Sequence, residues 1–187
     1  MKKTFIEIGS SYFDTLNHLA DYGWKGIIIE PISKYLDMIE RKDSVSYINC
    51  AVSHTPGEIT MYTFIDEIVE QDSDFAGMST IDPSKLNKKM FTQDKYKKWL
   101  KEVKVPALTY KIILDIQNID RVDYLKIDTE GHDFEILKTV DFETSRRPKN
   151  IKIEHKHVNK NDLTNFLKEK GYHVDVQKDD VFAIDLK

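Results

Sequence analysis

Asp123-Tyr-Leu-Lys-Ile-Asp-Thr-Glu-Gly-His-Asp-Phe-Glu-Ile-Leu137 decides how this chain folds. Its first half, Tyr124 to Ile127, is apolar apart from Lys126 and reads as a strand. From His132 onward, Phe134 and Leu137 recur at helical spacing, with Ile136 beside them and Val140 beyond. A strand therefore ends at Asp128, the chain turns at Gly131, and a helix begins. Open parallel α/β sheets bind their ligands at the C-terminal edge of the strands. Asp128, Glu130 and His132 lie at that edge, and Asp128 and Glu130, two residues apart, can face the same crevice. Polar residues in such a turn often only cap the helix. Three titratable groups within five residues are instead a pattern of active sites, where carboxylates and imidazoles cluster.

Upstream of this stretch the chain alternates strand and helix. Phe5-Ile-Glu-Ile8 reads as a first strand, and Gly9-Ser10-Ser11 turns the chain. Tyr12, Leu16, Leu19 and Ala20 predict a helix closed by Gly23. Gly26-Ile-Ile-Ile-Glu30 is apolar throughout, as expected of a strand covered on both faces, and Pro31 stops it. Ser33 is placed to cap a short helix carrying Tyr35, Leu36 and Ile39, and Val45 to Val52 reads as a third strand. The resulting β-α-β-α-β order is that of a nucleotide-binding half-domain. Gly9 can let backbone approach a ligand closely. Glu30, at the end of the second strand, can accept both hydroxyls of a ribose. The later glycines of the dinucleotide fingerprint are missing, since Ser11 and Phe13 stand in that turn. That argues against a pyrophosphate, and so against an NAD-dependent oxidoreductase, but not against an adenosine without one.

Downstream, Gly57 to Phe64 alternates like an added strand. Residues 65–105 hold few ordered patterns and then eight lysines from Lys85 to Lys104, with Met90, Phe91, Tyr96, Trp99 and Leu100 among them. So long an insertion reads as a lid or substrate-recognition segment; the plainer reading is a solvated helix with Trp99 and Leu100 packed on the domain. Thr109 is placed to cap a helix with Ile112, Ile113 and Ile116. Asn150 to Glu154 is a further strand, with Glu154, His155 and His157 at its C-terminal end. Asn161 is placed to cap a helix to Lys170, and Tyr172 to Val176 with Val181 to Leu186 forms a closing hairpin.

At 187 residues with 40% apolar and 32% charged content, the chain suits one soluble domain spanning 1–187. With 28 basic and 32 acidic residues it carries no net signal for nucleic acid. No run approaches the ~18 apolar residues of a membrane span, and Glu7 and Gly9 interrupt any N-terminal signal core. Cys50, the single cysteine, leaves no intramolecular disulfide and is compatible with the reducing cytoplasm.

Glu7-x-Gly9…Asp14, Ile-Ile-Glu30-Pro31, Asn49-x-Ala51-Val52-Ser53…Gly57-Glu58 and Leu-Lys-Ile-Asp128-x-Glu130-Gly131-His132-Asp133 together resemble the FkbM-type S-adenosylmethionine-dependent methyltransferases. The resemblance runs in register from about residue 5 to residue 157, and Lys-Ile-Asp-x-Glu-Gly-His is its most specific part. It implies a Rossmann-like class I fold: a mostly parallel seven-stranded sheet with an antiparallel last strand and helices on both faces. It also implies O-methylation of a small-molecule or carbohydrate acceptor. Glu7, Gly9, Ser10, Ser11, Asp14, Glu30, Pro31, Ala51 and Asp128 would border the cofactor, with Asp128 to His132 also at the reacting centre. Three features depart from the family. Glu7 stands where its first turn usually has an aspartate. Phe13 replaces the last glycine of its first turn and would narrow the methionine end of the pocket. The chain also begins at the first strand, where relatives carry an extension, so another subunit, in a homodimer for example, could complete the cover. A non-catalytic binding protein on the same fold is the alternative.

Methyl transfer from a sulfonium needs alignment and removal of the hydroxyl proton. His132, His155, His157 and Asp128 are the candidate bases, with Glu130 beside them. Asp128, Glu130 and Glu154 could alternatively hold a hard divalent ion, which the chemistry admits but does not require.

Overall fold

The apolar segments and turns identified above assemble into two sheets. The structure, a computed structural model, describes residues 2–13, 15–71, 75–84 and 98–187. Its strands are β1 (Thr4–Ile8), β2 (Lys25–Ile29), β3 (Val45–Ile48), β4 (Ala51–Val52), β5 (Gly57–Phe64), β6 (Leu100–Leu108), β7 (Tyr124–Ile127), β8 (Asn150–Glu154), β9 (Tyr172–Gln177) and β10 (Asp180–Asp185). Seven of them form the main sheet in the order β3-β2-β1-β7-β8-β10-β9. Neighbours from β3 to β8 pair in parallel, and β10 runs antiparallel between β8 and β9. This is the mostly parallel seven-stranded α/β sheet that the sequence leads one to expect. The strand order reverses between β1 and β7, which opens a crevice at the C-terminal edge between them.

The helices are α1 (Ser33–Met38), α2 (Asp66–Gln71), α3 (Tyr110–Ile116), α4 (Asp133–Lys138) and α5 (Lys160–Glu169), with a 3-10 helix at Leu16–Tyr22. They cover both faces of the main sheet. Ile6, Ile8, Ile27 and Ile29 pack on Ile113 of α3, Leu137 of α4 and Leu163 of α5. Phe5 and Ile28 pack on the opposite side against Leu36 of α1 and Leu16 and Leu19 of the 3-10 helix. That two-sided burial is why β2 reads as a continuous apolar run. Among the described residues no helix is long and apolar enough to cross a membrane.

Several expectations shift in detail. The segment 45–52 is not one strand. Asn49 donates from Nδ2 to the carbonyls of Glu30, at 2.8 Å, and Pro31, at 2.9 Å. That anchor ends β3, and Ala51–Val52 leaves for a second sheet of order β4-β6-β5. There β6 pairs antiparallel with β5 and parallel with β4. Residues 100–105, assigned above to the insertion, are therefore sheet. Their alternating charges (Lys101, Glu102, Lys104) face water, and Pro106 disguises the strand. Trp99 and Leu100 pack on Phe64 and Phe75, but Leu100 opens β6 rather than lying in the solvated helix of the plainer reading. The rest of the lysine-rich run, residues 85–97, lies outside the described residues.

Helix starts also move. The first helix begins at Leu16 rather than Tyr12, because the Leu16 N–H donates to Glu7 Oε2 at 2.7 Å and Thr15 caps Asn17. Gly23 closes it at φ 81°, as its position predicts. Ser33 opens α1 from inside, with Ile32 at the cap and no side-chain capping bond. Thr109 caps α3 through the Ile112 N–H, as expected. Asn159, not Asn161, caps α5, accepting from the Asn161 N–H at 3.0 Å.

Candidate active site

The β1–α1 side of the crevice is built by backbone. Gly9 turns at φ 77°, and its N–H donates to the Ile29 carbonyl at 2.9 Å. A Cβ at this position would lie 1.8 Å from the carbonyl oxygen of Asp128. Gly9 is thus required by the crossing of two strand ends, not only by a ligand. Ser11 follows at φ 47°, and its N–H donates to Glu30 Oε2 at 2.8 Å. The Ile32 N–H donates to Glu30 Oε1 at 2.8 Å. Glu30 is buried, and that burial raises its carboxyl to about 7 against the pull of those two N–H groups.

The opposite side is the turn after β7. The Asp128 N–H donates to the Ile8 carbonyl at 3.0 Å, holding the turn against β1. Asp133, which the sequence reading left without a role, anchors the loop. Its two carboxylate oxygens accept from the Thr129 N–H at 2.7 Å and the Gly131 N–H at 2.9 Å. Glu130 is held left-handed at φ 53°, and Thr80 Oγ donates to its carbonyl at 2.8 Å. The only sequence signal for Asp133 is an acidic residue two positions after the turn glycine, at the start of a helix.

Between these walls lies a cleft open to solvent. Gly9, Ser10, Ser11, Glu30 and Pro31 line one wall; Asp128, Glu130 and His132 line the other. Ala51 and Cys50 form the floor with Met61, while Phe13, Gly77, Ser79 and Ile81 reach in from the rim. Cleft walls of this kind shift titrations. Burial, with a smaller contribution from Asp133 and Glu130, pushes Asp128 to about 7, although Lys126 opposes it. Burial and the neighbouring His54 hold His132 below the usual imidazole range. The His54 and His132 rings stand nearly perpendicular, 5.9 Å apart.

The remaining candidates separate. Glu7 does not line the cleft. It is fully buried under the 3-10 helix, where its Oε1 accepts from Lys126 Nζ at 3.0 Å. Asp14 lies outside the described residues. His155 turns away, its Nε2 lying 2.9 Å from the Lys178 carbonyl in the β9–β10 turn. His157 comes back instead, with Nε2 3.0 Å from Glu130 Oε2 and 3.9 Å from Glu154 Oε2. Burial and the charges of Asp128 and Glu130 push Glu154 to about 9. The group able to hold a cation, among the described residues, is therefore Glu130, Glu154 and His157 rather than Asp128, Glu130 and Glu154.

No curated protein matches the chain significantly. Among solved structures, a chain described as human methyltransferase 10 domain containing protein is similar over 100% of this chain and 73% of that one. It shows 12% identity and a TM-score of 0.42. A family model, that of the methyltransferase FkbM domain, matches residues 6–174, from within β1 to within β9. That span takes in both walls of the cleft, and with it the chain belongs to the methyltransferase FkbM domain family and is a methyltransferase.

Proposed function

We propose that the chain transfers a methyl group from S-adenosylmethionine to a hydroxyl oxygen of a small molecule or carbohydrate. The observation that carries this reading is the pair of carboxylates, Glu30 and Asp128, on opposite walls of one cleft at the strand-order reversal. Glu30 is fixed by two backbone N–H groups, which leave lone pairs on both oxygens for ribose hydroxyls. The Gly9-Ser10-Ser11 turn lacks the later glycines of a diphosphate cradle, which an adenosine-bearing ligand without a diphosphate does not need. When bound, the cofactor supplies an electrophilic methyl on a sulfonium; the acceptor oxygen bonds to that carbon as the carbon–sulfur bond breaks and its electron pair stays on sulfur.

Asp128 and His132 face the acceptor side, and either can take the hydroxyl proton as the oxygen–carbon bond forms. Ser79 and Ile81, on the rim, support a substrate-recognition role for the 65–105 segment within a single domain. Alignment of the acceptor by such walls supplies about 7–11 kcal/mol in well-oriented reactions.

Calorimetric titration with S-adenosylmethionine and S-adenosylhomocysteine, with NAD as control, tests the reading. Binding of the first two and not of NAD, followed by methyl transfer in a hydroxyl-acceptor screen, is the expected result. Binding of NAD alone would refute it, and cofactor binding without transfer to any acceptor would favour a non-catalytic role.

A further inference from the structure

Beside the cleft, three side chains from three segments converge. Glu130 comes from the turn after β7, Glu154 is the last residue of β8, and His157 follows in the loop before α5. Their ligand atoms all lie within 4.8 Å of one another. His157 Nε2 is 3.0 Å from Glu130 Oε2 and 3.9 Å from Glu154 Oε2. A divalent ion bonds nitrogen and oxygen at ~2.0–2.2 Å, which sets neighbouring donors about 3.0–3.6 Å apart. The three atoms are thus spaced to within a side-chain adjustment of a shared ion.

The polar accounting points the same way. Glu130 Oε2 and Glu154 Oε2 are buried, and neither accepts a hydrogen bond from the described residues. Buried polar oxygens without a partner are destabilising and demand an explanation. A cation at their common centre supplies it.

We propose that Glu130, Glu154 and His157 form a binding site for one divalent first-row transition ion. Two carboxylates with an imidazole favour Mn²⁺ or Zn²⁺ over Ca²⁺, whose sites are all oxygen. Glu130 belongs both to this group and to the cleft wall, so the ion would sit on the acceptor side, away from Glu30. That placement rests on the methyl-transfer reading; the site itself does not.

The test separates the two. Chelator-treated protein is titrated with Mn²⁺, following loss of the free-ion paramagnetic resonance signal, and separately with S-adenosylhomocysteine by calorimetry. One ion per chain is expected, with affinity falling by at least about tenfold in Glu154→Gln and in His157→Gln. Both variants should keep the parent's S-adenosylhomocysteine affinity, which also certifies that they fold. Absence of stoichiometric binding, or Mn²⁺ affinity unchanged in both variants, would overturn the proposal and leave a His157–Glu130 ion pair. A protein that binds Mn²⁺ in this pattern but not S-adenosylhomocysteine would uphold the site while refuting the function proposed above.

Discussion

Glu7 and Lys126 stand opposite each other in register on adjacent parallel strands, with Oε1 and Nζ 3.0 Å apart and both side chains sealed from water. A buried ion pair of this kind adds little net stability, but removing one partner leaves a buried charge. Lys126→Met should therefore destabilise the fold by about 3–5 kcal/mol in urea unfolding, and Glu7→Leu with Lys126→Met should recover much of that loss. Equal destabilisation in the single and double variants would show that the pair is not coupled. Because Glu7 lies outside the cleft, Glu7→Gln should shift S-adenosylhomocysteine affinity far less than Glu30→Ala.

Gly9 offers a sharper stability test, with Gly23 as its internal control. Both glycines are left-handed, at φ 77° and 81°. A Cβ at Gly23 meets nothing within 4 Å, whereas one at Gly9 meets the Asp128 carbonyl at 1.8 Å. Gly23→Ala should lose about 1–2 kcal/mol from conformation alone. Gly9→Ala should lose clearly more and should also reduce methyl transfer, because Asp128 must move. Similar losses at the two positions in urea unfolding would contradict the tight crossing.

Glu30 should make stability depend on pH, and in the ribose-binding role proposed for it, cofactor binding as well. Its carboxyl titrates near 7 in the folded chain against an ordinary value of 4.5. In that interval the folded protein holds a proton that the unfolded chain has released. The stability this confers is complete below pH 4.5 and is lost as pH rises to about 7. Ribose hydroxyls need the ionised form, so S-adenosylhomocysteine affinity should climb by up to about tenfold per pH unit towards 7 and then level off. Calorimetry from pH 5.5 to 8 on the parent and on Glu30→Gln checks this; a flat parent profile would remove Glu30 from ribose recognition.

In the proposed methyl transfer, Asp128 and His132 are the two candidates for the base. Asp128→Asn keeps the shape of the turn but cannot take a proton, and should lower kcat by a factor of ~10²–10⁴ with little change in cofactor affinity. His132→Gln makes the same comparison for the imidazole. Whichever variant retains the parent's kcat in a single-turnover assay is excluded as the base.

Much of the fold is legible in local patterns, because the elements that carry it bury both faces or alternate cleanly. Ile27, Ile28 and Ile29 can only be a covered strand, and Asp128 to His132 can only be a turn at a strand end. Where the reading slips, a contact distant in sequence is responsible. Asn49 reaches back to Glu30 and Pro31 to cut a strand in two. β6 carries only a short apolar alternation, Val103, Val105 and Ala107, broken by Pro106 and set among lysines, and it is recognisable as a strand once β5 and β4 pair with it on either side.

The sequence by itself determined the doubly covered parallel sheet, its antiparallel hairpin ending and the wall that carries Asp128, Glu130 and His132. Those follow from periodicity and turn chemistry, which act over a few residues. Only the tertiary structure decided which distant groups meet. Strand register set Glu7 against Lys126 and so withdrew it from the cleft. The path of the chain after β8 sent His155 out to the β9–β10 turn and brought His157 in to Glu130 and Glu154. Two histidines two residues apart carry no local signal of which one faces inward; packing of the loop against α5 and the hairpin makes that choice.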